Sequence, residues 1–388
     1  FCARLASAPI DLTRPPWGFH LVEHVDGDGL GFVIRAHHCM LDGTGMTAFV
    51  GLFAELVATP AAIDEPQPWR PQSPPSRSRL VRSGVADSAR RSADAIADGW
   101  RRAVRVREWG EGAREAARTA SAVRELIAPV GAKTEFNRPT SDSRTVDFTH
   151  ASLAAAKNLA HARGATINHV GIAVVTDALR RFFDRPGARR PARALKLLVP
   201  VSYEPHPHDG EPGAEPAAAE EHIGFATVAL PLEEPDPDVR LAAIVAQAHD
   251  QTEHSSPERV DELMRHIARD SDRLYRLAQR LVQSPRTAAL TLSNVRGPAF
   301  PIYLRGARIR ELYPLLPLGP HHDLAVGMLS LEEKLFFAAM RTDSGHDSLA
   351  EFGGCMEEAV ASLGLAPRHG DRPPQAAPND QPKSTNGG

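Results

Sequence analysis

The chain has 388 residues, 42% of them hydrophobic and 24% charged, and a formal net charge of −3. That length suits two ordinary domains whose cores need no staples, and so even a charge argues against a nucleic-acid partner. The three cysteines, at positions 2, 39 and 355, show no spacing pattern, which excludes a disulfide framework or zinc site and fits a reducing cytoplasm.

Phe1-Cys2-Ala3-Arg4-Leu5 reads as helix, so Phe1 is expected to be a truncation point rather than a natural start. Residues 18–25 alternate apolar and polar side chains, 26–29 give a turn signal, and 30–36 read as a second strand. Together they predict a hairpin. The run His37-His38-Cys39-Met40-Leu41-Asp42-Gly43 follows. From Gly45 the residues Met46, Phe49, Val50, Leu52, Phe53 and Leu56 have helical spacing. Six prolines between 59 and 78 predict an extended linker.

Residues 79–127 read as an Arg- and Ala-rich helical region, with Val81, Val85, Ala89, Ala93, Ile96, Trp100 and Val104 in one stripe. Two readings fit: a solvated helix packed on the protein by its stripe, or a basic helix resting on anionic lipid. Residues 129–150 read as a second connector. Helices are expected over 153–163, 167–183, 239–253, 258–281 and 347–364. Strands are expected over 195–202, 225–232 and 290–295, with a hairpin of 324–331 and 334–341. The polar tail from 367 to 388 is expected to be disordered. No stretch approaches the roughly 18–20 apolar residues of a spanning helix, and no signal peptide is visible.

The chemistry concentrates at 37–43. Two adjacent histidines on a strand-to-loop transition cannot point the same way, so one faces the scaffold and the other can face a cavity. A neutral imidazole can take the proton of an alcohol as its oxygen attacks. An Asp four residues on can fix the loop, and a Gly after it clears space for a bend or a ligand. The same residues could be metal ligands, but adjacent histidines rarely hold one ion and no third ligand has a telling spacing. A purely structural histidine pair is the bland alternative. His206 and His208 lie in a Pro-rich loop, and His321-His322-Asp323 reads as a turn.

Further motifs sharpen the picture. Asp11-Leu12-Thr13-Arg14-Pro15-Pro16-Trp17 is similar to Asp-Leu-Ser-Arg-Pro-Leu-Trp, and Gly164-Ala165-Thr166-Ile167-Asn168-His169 to Gly-Ala-Thr-Val-Asn-Asp. Leu198-Val199-Pro200-Val201-Ser202 matches a buried strand, and Ser293-Asn294-Val295-Arg296-Gly297-Pro298 is similar to Ser-Asn-Val-Pro-Gly-Pro, continued by Tyr303 to Arg308. With His37 to Gly43, these motifs resemble in order those of the bacterial wax ester synthase/acyl-CoA:diacylglycerol acyltransferases. That family lies within the CoA-dependent acyltransferase superfamily, which also holds the condensation domains of peptide synthetases. The resemblance runs from about residue 1 to about residue 365.

The resemblance implies an α/β (α+β) two-domain fold, with mixed sheets flanked by helices and the active site at the domain interface. The expected division is 1–58 for the rest of an N-terminal domain carrying the motif, 59–150 for linker and helical connector, and 151–366 for a C-terminal domain. Family members carry further strands and a helix before the Asp-Leu-Ser-Arg-Pro-Leu-Trp stretch. The implied activity is transfer of a long acyl chain from acyl-CoA to diacylglycerol, giving triacylglycerol, or to a fatty alcohol, giving a wax ester. His38 would be the general base, with His37, Asp42 and Gly43 supporting it. Asn168 and Asn294 are candidates for a supporting role, with a helix N-cap the plainer reading of Asn168. Acyl-CoA would be a substrate, and neither cofactor nor metal is expected. Peripheral contact with membrane or lipid droplets is expected. The rival readings are a condensation-type enzyme using carrier-protein thioesters, and an impaired homologue that binds lipid surfaces.

Overall fold

The computed structural model describes residues 1–60 apart from 26, 28 and 42; 68, 70, 73–87, 89–90 and 134–137; 141–203 apart from 187, 189, 192 and 193; 222–254, 276, 280, 284, 287–319, 322–342 and 350–367. The N-terminal part is a short helix α1 (Cys2–Ser7), strands β1 (Trp17–Val25) and β2 (Gly29–Ala36), and helix α2 (Gly43–Gly51). β1 and β2 pair antiparallel as the expected hairpin, Trp17 opposite Ala36 and Leu21 opposite Phe32.

The rest is built on a six-stranded mixed sheet. Its strands are β3 (Arg144–Ser152), β4 (Leu195–Tyr203), β5 (His222–Leu230), β6 (Leu290–Val295), β9 (Leu324–Leu331) and β10 (Lys334–Thr342), in the order β3-β10-β9-β6-β4-β5. The two short strands between β6 and β9, β7 (Tyr303–Leu304) and β8 (Ala307–Arg308), form a separate hairpin. β9 runs parallel to β6 and β6 parallel to β4, and the remaining pairs are antiparallel. The central strands β9 and β10 are apolar along nearly their whole length, as strands covered on both faces must be.

Helices α3 (Leu153–Ala162), α4 (Ile167–Phe183), α5 (Pro237–His254) and α6 (Ala350–Ser362) flank this sheet. Val170, Val174, Leu179 and Phe182 of α4 join Leu197, Leu290, Val326 and Phe337 of the strands in one core. A second, smaller cluster of Ile302, Leu329, Leu331 and Phe336 gathers Ala54, Val295, Ile309 and Tyr313 around it. Ala54, just past α2, thereby ties the N-terminal part to the sheet.

The mixed α/β architecture is the expected one, and α4 and β6 have the expected bounds. Three elements differ. The helix expected from Gly45 through Leu56 and Val57 ends at Gly51, so Leu52 to Val57 lie outside α2. The connector expected over 129–150 ends in β3, which pairs with β10 along its whole length. Its core side carries Thr149 and Asp147 beside Ala151, while Phe148 on the other face meets Tyr313 at a ring separation of 4.6 Å, so its apolar residues do not line one face. Strand β5 starts and ends earlier than 225–232, with Pro231 following its last residue. Residues 77–87 are helical, but Val81 and Val85 are each 65% exposed, so the expected stripe packs on nothing there. Most of that region, most of 258–281, His206, His208, His321 and the tail from 368 lie outside the described residues.

A close approach explains the glycine of the Ser293–Pro298 motif. A Cβ on Gly297 would sit 1.9 Å from the backbone oxygen of Ser330. Pro298 and Glu332 are joined by a backbone hydrogen bond of 2.9 Å, so neither chain can retreat freely. Gly297→Ala is expected to cost about 1–3 kcal/mol, the ordinary cost of overpacking. Urea denaturation reads this directly, and a midpoint equal to that of the parent chain would refute it.

Candidate active site

The motif loop is held from both sides by backbone bonds. The His37 amide donates to the Pro16 carbonyl at 2.8 Å, so Pro15-Pro16-Trp17 meets the histidine motif. Upstream, Asp11 accepts from the Thr13 hydroxyl at 2.6 Å and the Thr13 amide at 2.9 Å, which closes a turn. Those two bonds, the hydroxyl first, hold its carboxyl below the usual carboxylate range. Within the loop, the Met40 amide donates to the His37 carbonyl at 2.9 Å. The Cys39 amide donates to Nδ1 of His37 at 3.2 Å. His37 is half-buried and is used to shape the turn.

His38 is exposed, and its Nδ1 lies 2.7 Å from the Leu41 carbonyl oxygen. A carbonyl can only accept, so Nδ1 must carry the proton. In the neutral ring this leaves Nε2 as the lone pair. The two histidines therefore hold opposite tautomers: His37 accepts at Nδ1, and His38 donates there. Only His38 presents a basic nitrogen beyond the loop's own bonds.

Gly43 starts α2, and Asp42 lies outside the described residues. Phe49 of α2 and Phe53 just past it meet Phe19 of β1 at ring separations of 5.8 and 4.8 Å, and Phe19 stacks on Phe32 at 5.4 Å. These aromatic pairs fix the helix on the hairpin. α2 lies against β6, the strand that ends in Ser293-Asn294-Val295. Asn294 is exposed there.

Asn168 lies in the first turn of α4, and its buried Oδ1 has no hydrogen-bond partner among the described residues. It is not the helix cap. Thr166 is, accepting from the His169 amide at 3.3 Å, while the Thr166 amide donates to Nδ1 of His169 at 3.2 Å. His169, where the family pattern has Asp, thus supplies the acceptor of a capping box. Burial, and after it the neighbouring His249, pushes the His169 imidazole below its ordinary value.

A protonated Nδ1 would face the Thr166 amide donor to donor. Because the folded-state value is the lower one, the unfolded chain binds this proton first. The stabilisation is therefore present above the unfolded value of about 6.5 and is lost as pH falls through the folded value. His169→Gln keeps an acceptor without titrating. It is expected to remove an acid-side loss of about 0.5–2 kcal/mol, the size of a cap. Melting curves between pH 7.5 and 5 compare the two chains, and parallel curves would show the cap to be insensitive to pH.

Asp323 serves structure. It accepts from the Thr342 amide at 2.7 Å, its own amide donates to the Phe136 carbonyl at 2.7 Å, and His322 closes a turn onto Gly319. The two site features without a sequence signal are the Leu41 carbonyl and the docking of Glu55 on Tyr303, which form a backbone bridge with two bonds of 2.8 Å.

Known proteins share this plan. The wax ester synthase/diacylglycerol acyltransferase catalytic domain matches residues 1–171, and the C-terminal domain of the same family matches 221–364. A probable diacylglycerol O-acyltransferase of Mycobacterium tuberculosis is 25% identical over 93% of this chain and 74% of its own length. A putative diacylglycerol O-acyltransferase of the same species is 27% identical over 86% of this chain and 64% of its own, so this chain spans about two thirds to three quarters of these relatives. The solved wax ester synthase/diacylglycerol acyltransferase of Marinobacter aquaeolei superposes with a TM-score of 0.62 at 17% identity, over 94% of this chain and 74% of that one. With both of its domains matched in order and the fold shared, the chain belongs to the wax ester synthase/diacylglycerol acyltransferase family of acyltransferases.

Proposed function

We propose that the chain transfers a long-chain acyl group from acyl-CoA to the hydroxyl of diacylglycerol or of a fatty alcohol, with His38 as general base. The observation that carries this reading is the 2.7 Å bond from Nδ1 of His38 to the Leu41 carbonyl, which leaves Nε2 basic on an exposed ring. Nε2 takes the acceptor's hydroxyl proton as its oxygen attacks the thioester carbonyl. The tetrahedral intermediate collapses by breaking the carbon–sulfur bond, and the proton held on Nε2 passes to the departing CoA thiolate. His37 shapes the turn, Asp42 and Gly43 are the supporting residues that the family motif implies, and Asn294, on the strand beside α2, is the candidate for a supporting role. A thioester is already activated and the base is a side chain, so the reaction needs neither metal nor cofactor.

No helix among the described residues is long and apolar enough to cross a membrane. Lipid acceptors would be reached by peripheral contact with a lipid surface, for which the exposed Leu80, Val81 and Val85 beside Arg79 and Arg82 are suited. The test is an assay with radiolabelled acyl-CoA and either diacylglycerol or a long-chain alcohol. Ester formation that tracks protein and needs the intact His38 supports the proposal. Esters formed only from carrier-protein thioesters would favour the condensation-type chemistry instead.

A further inference from the structure

The motif helix is anchored at the end opposite to His38. α2 is a nine-residue rod, about 14 Å long, with the histidine loop at its start. Just past its other end, Ala54 enters the small cluster around Ile302 and Leu329. Glu55 then pairs with Tyr303 through two backbone bonds of 2.8 Å. Its carboxylate accepts from the Gly306 amide at 3.3 Å and lies 3.7 Å from the Arg305 guanidinium.

The β7–β8 hairpin is shaped to receive that carboxylate. Arg305 and Gly306 both have positive φ, 51° and 86°, so the turn between the strands is a tight one. The approach is close: a Cβ on Gly306 would sit 2.8 Å from the Ala58 carbonyl. Glu55 is only 17% exposed in its side chain, so its carboxylate meets the Gly306 amide largely out of water. The hairpin follows directly on the Ser293–Pro298 stretch of β6, the strand against which α2 lies.

We propose that Glu55 is a positioning residue: its clamp on the 303–308 hairpin sets α2, and through it the His38 loop, against the Ser293–Asn294 end of β6. The idea rests on the acyl-transfer reading for its kinetic consequence, though not for its geometric one. Removing the carboxylate leaves the backbone bridge but frees the hairpin tip, so the rod can tilt about Ala54. A displacement of about an ångström at a reacting group is enough to lower a rate by up to about a hundredfold.

The test uses the full chain with Glu55→Ala, Glu55→Gln and Gly306→Ala. Glu55→Ala is expected to lower kcat by about tenfold or more while KM for acyl-CoA stays within about twofold. Glu55→Gln is expected to recover most of the rate, because its amide oxygen still accepts from Gly306. Gly306→Ala meets the Ala58 carbonyl, three residues past Glu55, and so displaces the same hairpin from the same segment; it should reproduce the loss and carries the test if Glu55→Ala does not fold. A second readout is independent of turnover. Cys39 is exposed beside His38, whereas Cys355 is buried, so its alkylation rate by iodoacetamide, resolved by peptide mass, reports on the loop. Glu55→Ala should change that rate several-fold and Glu55→Gln should not. An unchanged kcat and an unchanged Cys39 rate in the folded alanine variants, with only the melting point lowered, would overturn the proposal. If the parent chain transfers no acyl group, the acyltransferase reading fails, and the Cys39 rates alone decide the clamp.

Discussion

Replacing His38 by alanine is expected to slow acyl transfer by about 10²–10⁴, the usual contribution of a positioned base, while leaving the fold intact. The two halves of that expectation have separate causes. The ring is exposed, and its Nδ1 donates to the Leu41 carbonyl, an atom that water can solvate in its absence. Surface changes of that kind stay within about 0.5 kcal/mol. The rate is a different matter, because an unassisted alcohol oxygen must attack while still holding its proton. KM for acyl-CoA should move little, since the base acts on the acceptor and mainly in the transition state. His37→Ala makes the contrast: it removes the acceptor for the Cys39 amide, so it should disturb the loop and lower the melting point along with the rate. A His38→Ala chain that still forms ester at the parent rate would rule out the general-base role.

Much of this was legible in the residues, and the limits have physical causes. The hairpin, α4, β6 and the β9–β10 pair were visible because their apolar periodicity is local and strong. β3 was not, because Asp147 and Thr149 face inward there, and a strand that buries polar side chains is recognised only once β10 lies beside it. The stripe through Val81 and Val85 announced an apolar face, but a stripe does not say what it meets. At the site, His38 stands out in the sequence through its motif, which is what makes it the proposed base. Its orienting partner was not, since a backbone carbonyl such as that of Leu41 leaves no mark in a sequence. The cap of α4 illustrates the same point from the other direction. Thr166 and His169 share the role that Asn168 alone had been a candidate for, and the histidine stands in for a carboxylate by offering a ring nitrogen.

Asp177→Ala is expected to remove about 3–5 kcal/mol of stability, the cost of breaking a buried ion pair from one side. Asp177 and Arg240 are buried, 63 residues apart in sequence, and meet at 2.7 Å between α4 and α5. The carboxylate also accepts from Arg181 at 2.8 Å and from the Ser362 hydroxyl at 2.8 Å, so one residue joins α4, α5 and the end of α6. Burial alone would push its carboxyl up. The hydrogen bonds from Arg181 and Ser362 and the charges of Arg240 and Arg181 outweigh it and hold the group below the usual carboxylate range. With Asp177 gone, the Arg240 guanidinium keeps the Glu234 and Pro235 carbonyls, at 2.7 and 3.0 Å, but its buried charge loses the carboxylate that touches it. Most of the cost is that stranded charge, so Asp177→Ala combined with Arg240→Ala should lose clearly less than the sum of the single losses. Urea denaturation of the four chains closes the cycle. Additive losses, or a single-variant loss under about 1 kcal/mol, would mean that the pair behaves as a solvated one and that the packing of α4 against α5 rests on its apolar contacts alone.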